Sequence, residues 1–533
     1  MRPVCVRSVI IVTSPSEIRG LIRLARGLPD FVREPYSVEQ AKEIVQRGMQ
    51  RRDQALLDKV EHAVFGHARS PYRALLRHAG CELGDVRELV RQNGVEGALE
   101  RLRDAGVFVT FEEFKGLAPA VRGNASFEFR AEDFDNPLTN PHFRGSTGGS
   151  SGRATRIQFD LDHTGQVAPQ WTLWFAAHGW LAPDRPLVIW WPGHAGAAMG
   201  HLLALKAGKP YTKNFVQVRP EALRDRVGAA LVHGLVRRAG GLSKPEFAPT
   251  HATDRVGAYL TGLVEQGMRP CVNCSPSQAI RVGRAVAERG KTLDGVTFWL
   301  GAEPTTPTRR RAIEGYGAVA VPLYGFSEGG NVGNQCPNGI DDDVHIALDA
   351  YALIHRRRAV RDQEQVDALL FTALRPACPK VLFNTEIGDY GVLETRQCGC
   401  DFDELGMTRH VHTVRSFDKL TGEGMTFVGA DLFDLLEGVL PQRFGGAAGD
   451  YQLIEEQDAD GLTRYRLLIS PAVGVVDESA AAGVFLDGLA SKRKHYRYMA
   501  TAWRDADLLR VERAPPIATG RGKVFPFRTL GRS

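Results

Sequence analysis

Short apolar segments that suit β-strands alternate with helical segments through the middle of this chain. The strand-like segments are residues 157–161, 186–191 and 296–300. A helical pattern over 167–180 lies between the first two. Strands that alternate with helices favour parallel pairing, because each helical crossover returns the chain to the end of the sheet at which the previous strand began. The sequence therefore predicts an α/β fold with largely parallel sheets.

The regions on either side of this alternating segment have a different texture. Residues 1–120 carry charged faces and apolar repeats, which predict a mostly helical lead-in, with a loop-rich approach starting at Thr110. From Arg415 onwards the pattern changes again. We therefore expect a large N-terminal domain of stacked α/β layers over 1–414 and a small α+β C-terminal domain over 415–533.

Charge and cysteine content exclude several classes of protein. The chain has 67 Lys and Arg against 62 Asp and Glu, a net charge of +5, without long basic runs, so nucleic acid is not an expected partner. The apolar stretch at 9–12 is too short for a signal sequence or a membrane span, so no membrane is expected. Eight cysteines, several in apolar segments, indicate a reducing cytoplasm rather than a disulfide scaffold. A cytoplasmic protein is the expectation.

Glycines and hydroxyl residues fill the run Gly-Ser-Thr-Gly-Gly-Ser-Ser-Gly at 145–152, between Arg144 and Arg153. Backbone N–H groups exposed by glycine, together with short hydroxyls, suit a polyphosphate, although a flexible linker has a similar composition. The run lacks the lysine of a P-loop, and it follows a turn-rich loop instead of the strand that a Rossmann fingerprint needs. Residues further along the chain are needed to distinguish a phosphate loop from a linker.

A second pattern, Tyr-Gly-Phe-Ser-Glu at 324–328, follows the strand-like run 317–323. Ligands bind at the carboxyl ends of strands in α/β sheets. At such a position Ser327 can donate a hydrogen bond to a phosphate, and Glu328 can hold a hard cation such as Mg²⁺. Together with the glycine run, the pattern favours a site for a nucleotide polyphosphate.

In this order along the chain, the motifs resemble those of the adenylate-forming superfamily, which includes acyl-CoA synthetases, and most closely its phenylacetate-CoA ligase and CapK branch. The similarity runs from about residue 70 to Lys523. By this resemblance the phosphate loop is Thr147, Gly148, Gly149, Ser150, Ser151 and Gly152, the adenine-contacting segment is Gly301, Ala302, Glu303 and Pro304, and the aromatic motif contains Tyr324, Gly325, Ser327 and Glu328. It also implies that Asp389 binds ribose, Arg415 opens the hinge, Gly424 serves thioester formation and Lys523 is catalytic.

The resemblance implies an ATP- and Mg²⁺-dependent ligase. Such an enzyme converts a carboxylic acid, here expected to be aromatic or medium-sized, into an acyl-adenylate and passes the acyl group to a thiol, foremost that of coenzyme A. The domain over 1–414 would be the adenylation domain, and 415–533 the mobile lid. Alternative acceptors are a carrier-protein phosphopantetheine or a nitrogen nucleophile. A non-catalytic nucleotide-binding protein is the alternative of another class, and a homo-oligomer is compatible with the sequence.

This chain departs from the related sequences in two places. Where they usually have Pro and Lys after the glycine run, it has Ala154 and Thr155. The usual acidic hinge residue falls on Phe417 or, with a shift of one residue, on Asp418. The resemblance further implies an acyl pocket walled by residues 190–200 and Ala302, although the two tryptophans at 190 and 191 also suit the buried end of a strand.

A further group of chemically related residues comprises Cys336, His345, Cys398 and Cys400. The first two follow the 324–328 motif and the last two follow Asp389, so two hairpin-like segments can bring them together. Three thiolates and an imidazole make a closed tetrahedral set, which is typical of a structural Zn²⁺ site and resembles insertions in some phenylacetate-branch proteins. Four unrelated residues are the alternative, since Cys-x-Cys is a narrow spacing. Cys271 and Cys274, by contrast, are interpreted as buried structure.

Overall fold

The computed structural model describes most of the chain but not every segment that carries a motif. The described residues are 15–146, 156–191, 195–217, 234–237, 243–359, 365–416, 419–422, 425–428, 432, 434–492, 496–517 and 526–529. Outside them lie the predicted phosphate-loop residues Thr147 to Gly152, Ala154, Thr155, His194, Phe417, Asp418, Gly424 and Lys523. The roles suggested for these residues stay predictions.

Helices dominate the N-terminal region, as its apolar periodicity predicts. They are α1 (Pro15–Arg33), α2 (Val38–Gln50), α3 (Arg52–Lys59), α4 (Pro71–His78), α5 (Leu83–Asp104) and α6 (Phe111–Phe114), with a π-helical turn at Val60–Phe65. The prediction that a loop starts at Thr110 is wrong, because a short helix begins there. The Thr110 side chain accepts a hydrogen bond from the Glu113 N–H, and the Glu113 carboxylate accepts one from the Thr110 N–H. This capping box begins α6. None of the described helices combines the length and the hydropathy needed to cross a bilayer.

Two short hairpins connect these helices to the main sheet. They are formed by β1 (Ala120–Arg122) with β2 (Ala125–Phe127) and by β3 (Phe143–Ser146) with β4 (Arg156–Phe159). In the second hairpin, Ser146 pairs with Arg156, so antiparallel strands bracket residues 147–155. The first two residues of the glycine run, Gly145 and Ser146, therefore belong to β3.

The described residues form a main sheet of twelve strands. These strands are β5 (Leu187–Trp191), β6 (Tyr211–Val216), β7 (Glu246–Phe247), β8 (Cys271–Cys274), β9 (Thr297–Leu300), β10 (Val319–Phe326), β11 (Gly330–Asn334), β12 (Val344–Ile346), β13 (Tyr351–Ala359), β14 (Gln365–Ala373), β15 (Thr385–Thr395) and β16 (Arg409–Ser416). Their spatial order is β13-β14-β15-β16-β12-β11-β10-β9-β8-β5-β6-β7.

The two halves of this sheet differ in strand direction. From β7 to β10 all neighbours are parallel, whereas from β10 to β13 all are antiparallel. The prediction of largely parallel sheets is correct only for the first half, where helices supply the crossovers. Those helices and their neighbours are α7 (Leu161–Ala177), α8 (Ala195–Lys206), α9 (Thr253–Glu265), α10 (Pro276–Ala287), α11 (Pro307–Gly315) and α12 (Asp401–Glu404).

A second, smaller α+β unit follows the main sheet and has its own core. Its elements are β17 (Lys419–Gly422), β18 (Met425–Val428), α13 (Leu440–Phe444), β19 (Tyr451–Gln457), β20 (Thr463–Ile469), α14 (Glu478–Lys492), α15 (Tyr496–Asp505), β21 (Leu509–Arg513) and β22 (Phe527–Thr529). A four-stranded sheet in the order β21-β20-β19-β22 packs its apolar side chains against α14 and α15, with Phe485 and Trp503 fully buried.

The turn between β19 and β20 joins the small unit to the large one. Leu462, at this turn, is fully buried in the core beneath β8 and β9, outside the core of its own sheet. Next to it, the Gly461 carbonyl accepts from Arg309 Nε at 2.7 Å. A Cβ on Gly461 would lie 2.8 Å from Arg309 Cγ, and its φ of +77° also favours glycine. The turn is therefore fitted closely to the large unit.

Candidate functional site

Two of the predicted motifs leave the main sheet side by side. Strands β9 and β10 are parallel, and Leu300 lies opposite Pro322. The segment Gly301–Pro304 therefore begins beside the motif at 324–328, and a Cβ on Gly301 would lie only 3.0 Å from Leu323. Strand β10 runs on to Phe326, so it extends beyond the strand-like run 317–323 and has Tyr324 and Gly325 near its end. Both motifs lie at the carboxyl edge of the parallel half, where α/β sheets bind ligands.

Ala302 adopts an uncommon backbone conformation in the first of these segments. Its φ is +66° although it is not glycine, and its side chain is exposed. A non-glycine residue in the left-handed region costs about 1–2 kcal/mol, and such strain persists where the surroundings fix it, often at ligand sites. The segment predicted to contact adenine is thus held in one conformation, with the Ala302 side chain exposed.

Buried contacts of Glu303 supply that restraint. Ser277 Oγ donates to Glu303 Oε2 at 2.6 Å, and Arg309 Nη1 lies 2.9 Å from the same oxygen. Arg309 also donates from Nη2 to Thr463 Oγ1 at 2.6 Å. The Glu303 carboxylate is thus bound by other side chains of the protein. Arg309 links the segment 301–304 to the turn between β19 and β20.

Replacing Arg309 by methionine is expected to cost about 3–5 kcal/mol, because it leaves the buried Glu303 carboxylate without its cation. The measurement is the denaturation midpoint. Arg311→Met is the matched control, since this exposed side chain two residues along donates only to Thr308 among the bonds described, and its loss should stay within about 0.5 kcal/mol. Equal losses in the two variants would contradict this account of Arg309.

Asp389 lies within β15. It pairs with Ser416 of β16, whose hydroxyl donates to Asp389 Oδ1, and the Tyr324 hydroxyl donates to Oδ2 at 3.0 Å. Burial and the Asp389 charge raise the pKa of Tyr324 well above its usual range, so the phenol stays protonated as the donor. The aromatic motif and the predicted ribose-binding carboxylate are therefore in direct contact.

Arg415 is the penultimate residue of β16. Its guanidinium is largely buried, with Nη1 3.1 Å from Asp342 Oδ2 and 2.8 Å from the Val414 carbonyl. The residue predicted to open the hinge is therefore anchored in the main sheet, one position before that sheet ends.

Glu328 contacts a residue that the sequence did not indicate. Its carboxylate is buried, and Oε1 lies 2.5 Å from the ammonium of Lys115, which follows α6 in the N-terminal region. The neighbouring Ser327 is exposed. A single lysine 213 residues away carries no local signal that could have paired it with Glu328.

The predicted zinc ligands come together between β11 and β16. Their four ligand atoms lie within 4.8 Å of one another in the set Cys336, His345, Cys398 and Cys400. His345 Nε2 is 3.3 Å from each of the last two sulfurs, and the Cys336 and Cys398 sulfurs are 3.6 Å apart. Tetrahedral Zn²⁺ bonds of about 2.0–2.3 Å place ligands about 3.5 Å apart, so the donor set fits that ion.

Surrounding contacts orient these donors. His345 Nδ1 donates to the Met407 carbonyl at 2.7 Å, which turns Nε2 towards the sulfurs. The N–H groups of Cys398 and Gly399 donate to the Asp403 carboxylate, each at 2.7 Å. A hydrogen bond from the Cys336 thiol, supported by His345, holds the pKa of Cys400 well below its usual range. The cluster thus favours a thiolate, the form that binds metal.

The carboxyl end of β5 forms part of the predicted wall of the acyl pocket. Trp190 is fully buried and donates to the Ala248 carbonyl at 2.8 Å, as expected for a residue of the core. Trp191 is half-buried and donates to Asn273 Oδ1 at 2.6 Å. Cys271 and Cys274 are buried within β8, which confirms their structural interpretation.

No protein-family model and no curated protein matches this chain. Among solved structures, it is similar to a malonyl-CoA ligase in a ternary product complex with methylmalonyl-CoA and AMP, at 14% identity and a TM-score of 0.41 over 83% of this chain and 93% of the other. The amide bond synthetase McbA from Marinactinospora thermotolerans is 12% identical, with a TM-score of 0.38 over 91% and 97%. ATP-bound MatB from Rhodopseudomonas palustris is 13% identical, with a TM-score of 0.33 over 79% and 70%. Because these TM-scores are below 0.5, the case for function rests on the chain's own residues.

Proposed function

We propose that this protein is an AMP-forming ligase of the adenylate-forming type, and that it activates a carboxylic acid with ATP. One observation carries the proposal: Gly301–Pro304, Tyr324–Glu328 and Asp389 come from distant parts of the chain and meet at one edge of the main sheet. These are the segments whose resemblance implies adenine, phosphate and ribose binding. A merely structural role would not require a strained Ala302 beside them.

The chemistry explains why the site needs several polar groups. A carboxylate is a poor electrophile, and its oxygen must attack the α-phosphate of ATP, form a new P–O bond and expel pyrophosphate. A nucleophile then attacks the acyl carbonyl and AMP leaves. The first step brings two anions together, so the protein has to screen negative charge and fix the reacting atoms.

The described residues can divide these tasks. Tyr324 and Ser416 hold Asp389 in the orientation proposed for binding the ribose hydroxyls. Glu328 would hold Mg²⁺, which when bound screens the charge of the polyphosphate. Glu328 fits this role because its carboxylate already pairs with a cation in the structure. Ser327 is exposed, and its hydroxyl would donate to a phosphate.

Residues outside the described part of the chain complete the proposal. The run Thr147–Gly152 would bind the polyphosphate through its N–H groups, and Lys523 would stabilise charge at the reacting carboxylate and phosphate. The sequence predicts that the small unit begins at residue 415, whereas β16 of the main sheet runs to Ser416. The unit that follows this strand would act as a lid that carries Lys523 and Gly424. The closeness to the phenylacetate-CoA ligase branch is part of the same proposal.

The acyl acceptor proposed first is coenzyme A, with a carrier-protein phosphopantetheine or a nitrogen nucleophile as alternatives. An aromatic or medium-sized acid is the proposed substrate, because the half-buried Trp191 lies at the edge of β5 near the other motifs. Release of AMP that depends on coenzyme A would support the first acceptor, and release that ignores it would support one of the others.

Acid-dependent exchange of pyrophosphate into ATP is the test of this function. With a panel of carboxylic acids, we expect exchange for at least one acid, and we expect Lys523→Ala to lower it by about a hundredfold or more because a charge-stabilising group is lost. Arg521→Ala, in the same glycine-rich segment, is the control and should retain most of the exchange. ATP binding without exchange for any acid would favour the non-catalytic alternative.

We also propose that Cys336, His345, Cys398 and Cys400 hold a structural Zn²⁺. The support is the convergence of three sulfurs and one imidazole nitrogen on one point, with His345 oriented by a backbone carbonyl. Such an ion would tie the segment after β11 to the segment after β15, two connections in the antiparallel half of the sheet.

A further inference from the structure

Lys115 is a buried cation of the helical N-terminal region that contacts the turn after β10. Its side chain is only 5% exposed, and its ammonium lies 2.5 Å from Glu328 Oε1. The rings of Phe111 and Phe114 lie 5.8 and 5.3 Å from the ammonium and line its approach. Lys115 therefore has a defined position beside the carboxylate proposed to hold Mg²⁺.

The pairing of Lys115 with Glu328 is selective. A nearer carboxylate in the sequence, Glu113, is bound by the Arg122 guanidinium at 2.8 and 3.0 Å and by the Thr110 N–H at 2.9 Å. The short helix α6 thus directs one acidic side chain towards Arg122 and the following lysine towards β10. Arg122 thus pairs with Glu113, and Lys115 pairs with Glu328.

A buried ion pair of this kind is a poor way to gain stability. Removing two charges from water costs several kcal/mol per ion, and apolar side chains of the same volume often serve the fold equally well. Stability alone therefore does not account for the pair of Lys115 and Glu328. The glycine run has Thr155 where related sequences place a lysine, so the run itself does not supply that ammonium.

We propose that Lys115 supplies the ammonium that binds the β- and γ-phosphates of ATP, an inference that rests on the proposed function. An ammonium has three N–H donors, so Lys115 can keep its bond to Glu328 while it donates to a phosphate oxygen. The exposed Ser327 marks the side from which the phosphates reach this turn. The lysine thereby takes the place of the missing lysine of the glycine run.

The test compares ligands that do and do not carry the outer phosphates. Calorimetric titration with Mg²⁺ present would measure binding of ATP, pyrophosphate and AMP to the wild type, Lys115→Met and Lys115→Arg. We expect Lys115→Met to weaken ATP and pyrophosphate about tenfold, or about 1.4 kcal/mol, and to leave AMP within about twofold. Lys115→Arg, which keeps the charge, should recover most of the loss.

Lys380→Met is the matched control. Lys380 is equally buried, and it pairs with Asp135 at 2.6 Å, so its loss removes a buried ion pair but no proposed phosphate contact. It should leave all three affinities within about twofold. Lys115→Gln replaces Lys115→Met if the latter does not fold.

Two results would overturn the inference about Lys115 alone. One is an unchanged affinity for ATP and pyrophosphate in a folded variant without the charge. The other is an equal loss for AMP, which would mean that Lys115 only maintains the shape of the site. A wild type that binds no ATP would instead overturn the proposed function, and this inference with it.

Discussion

Glu328→Gln is expected to lower acid-dependent pyrophosphate exchange by about a hundredfold or more, equivalent to about 2.7 kcal/mol of the barrier. The amide has nearly the same shape as the carboxylate but no charge, so it cannot hold Mg²⁺ against the polyphosphate. It also leaves the Lys115 ammonium without its anion, and we expect a modest fall in the denaturation midpoint as well. Exchange is measured at saturating acid over a range of Mg²⁺ concentrations.

Asp135→Asn is the control for this experiment, because it neutralises the carboxylate of another buried lysine pair, that with Lys380. It should reduce stability by a similar amount while exchange stays within about threefold. The assignment of Glu328 would be wrong if its variant exchanged pyrophosphate as fast as the control. A rate restored fully by high Mg²⁺ would instead limit its role to affinity for the ion.

The second large effect is expected at the cysteine cluster. Protein purified without chelators should contain about one Zn²⁺ per chain, and Cys400→Ser should lose most of it. Because a bound metal stabilises only the folded state, we expect the apparent melting temperature to fall by about 5–10 °C. Metal content by atomic emission and melting by differential scanning fluorimetry would be measured on the same preparations.

Cys81→Ser provides the comparison, since Cys81 is a half-buried cysteine outside the cluster. It should keep its metal and melt close to the wild type. A wild type free of zinc, with a melting temperature unaffected by Cys400→Ser, would mean that the four residues meet without a metal. Zinc loss without thermal effect would place the ion at the surface of the fold, not within it.

Local patterns predicted the parallel half of the main sheet well. The strand-like segments 186–191 and 296–300 correspond to β5 and β9 within one residue, because short apolar runs bounded by turn residues identify buried strands. The antiparallel half could not be derived in the same way. The pairing of β12 with β16, for example, joins Val344 to Val411, two residues that are distant in sequence.

The sequence indicates candidate site residues where a motif is contiguous, and it does not indicate a single side chain whose contacts are distant in sequence. In the sequence, nothing near Lys115 distinguishes it from an exposed lysine. Arg309 belongs to a run of three arginines that suggests a solvated surface, yet it is 2% exposed and pairs with Glu303. Burial and long-range pairing, which a single sequence does not display, give both residues their importance.

The buried turn at Leu462 sets a resting state for the small unit. Separating the two units would expose this leucine, at about 1.5–3 kcal/mol, in addition to the bonds that Arg309 makes to the turn. A cost of about 3 kcal/mol leaves the separated form at less than about 1% of molecules. If the small unit acts as the proposed lid and moves between the two proposed half-reactions, the free energy for that movement has to come from ligand binding.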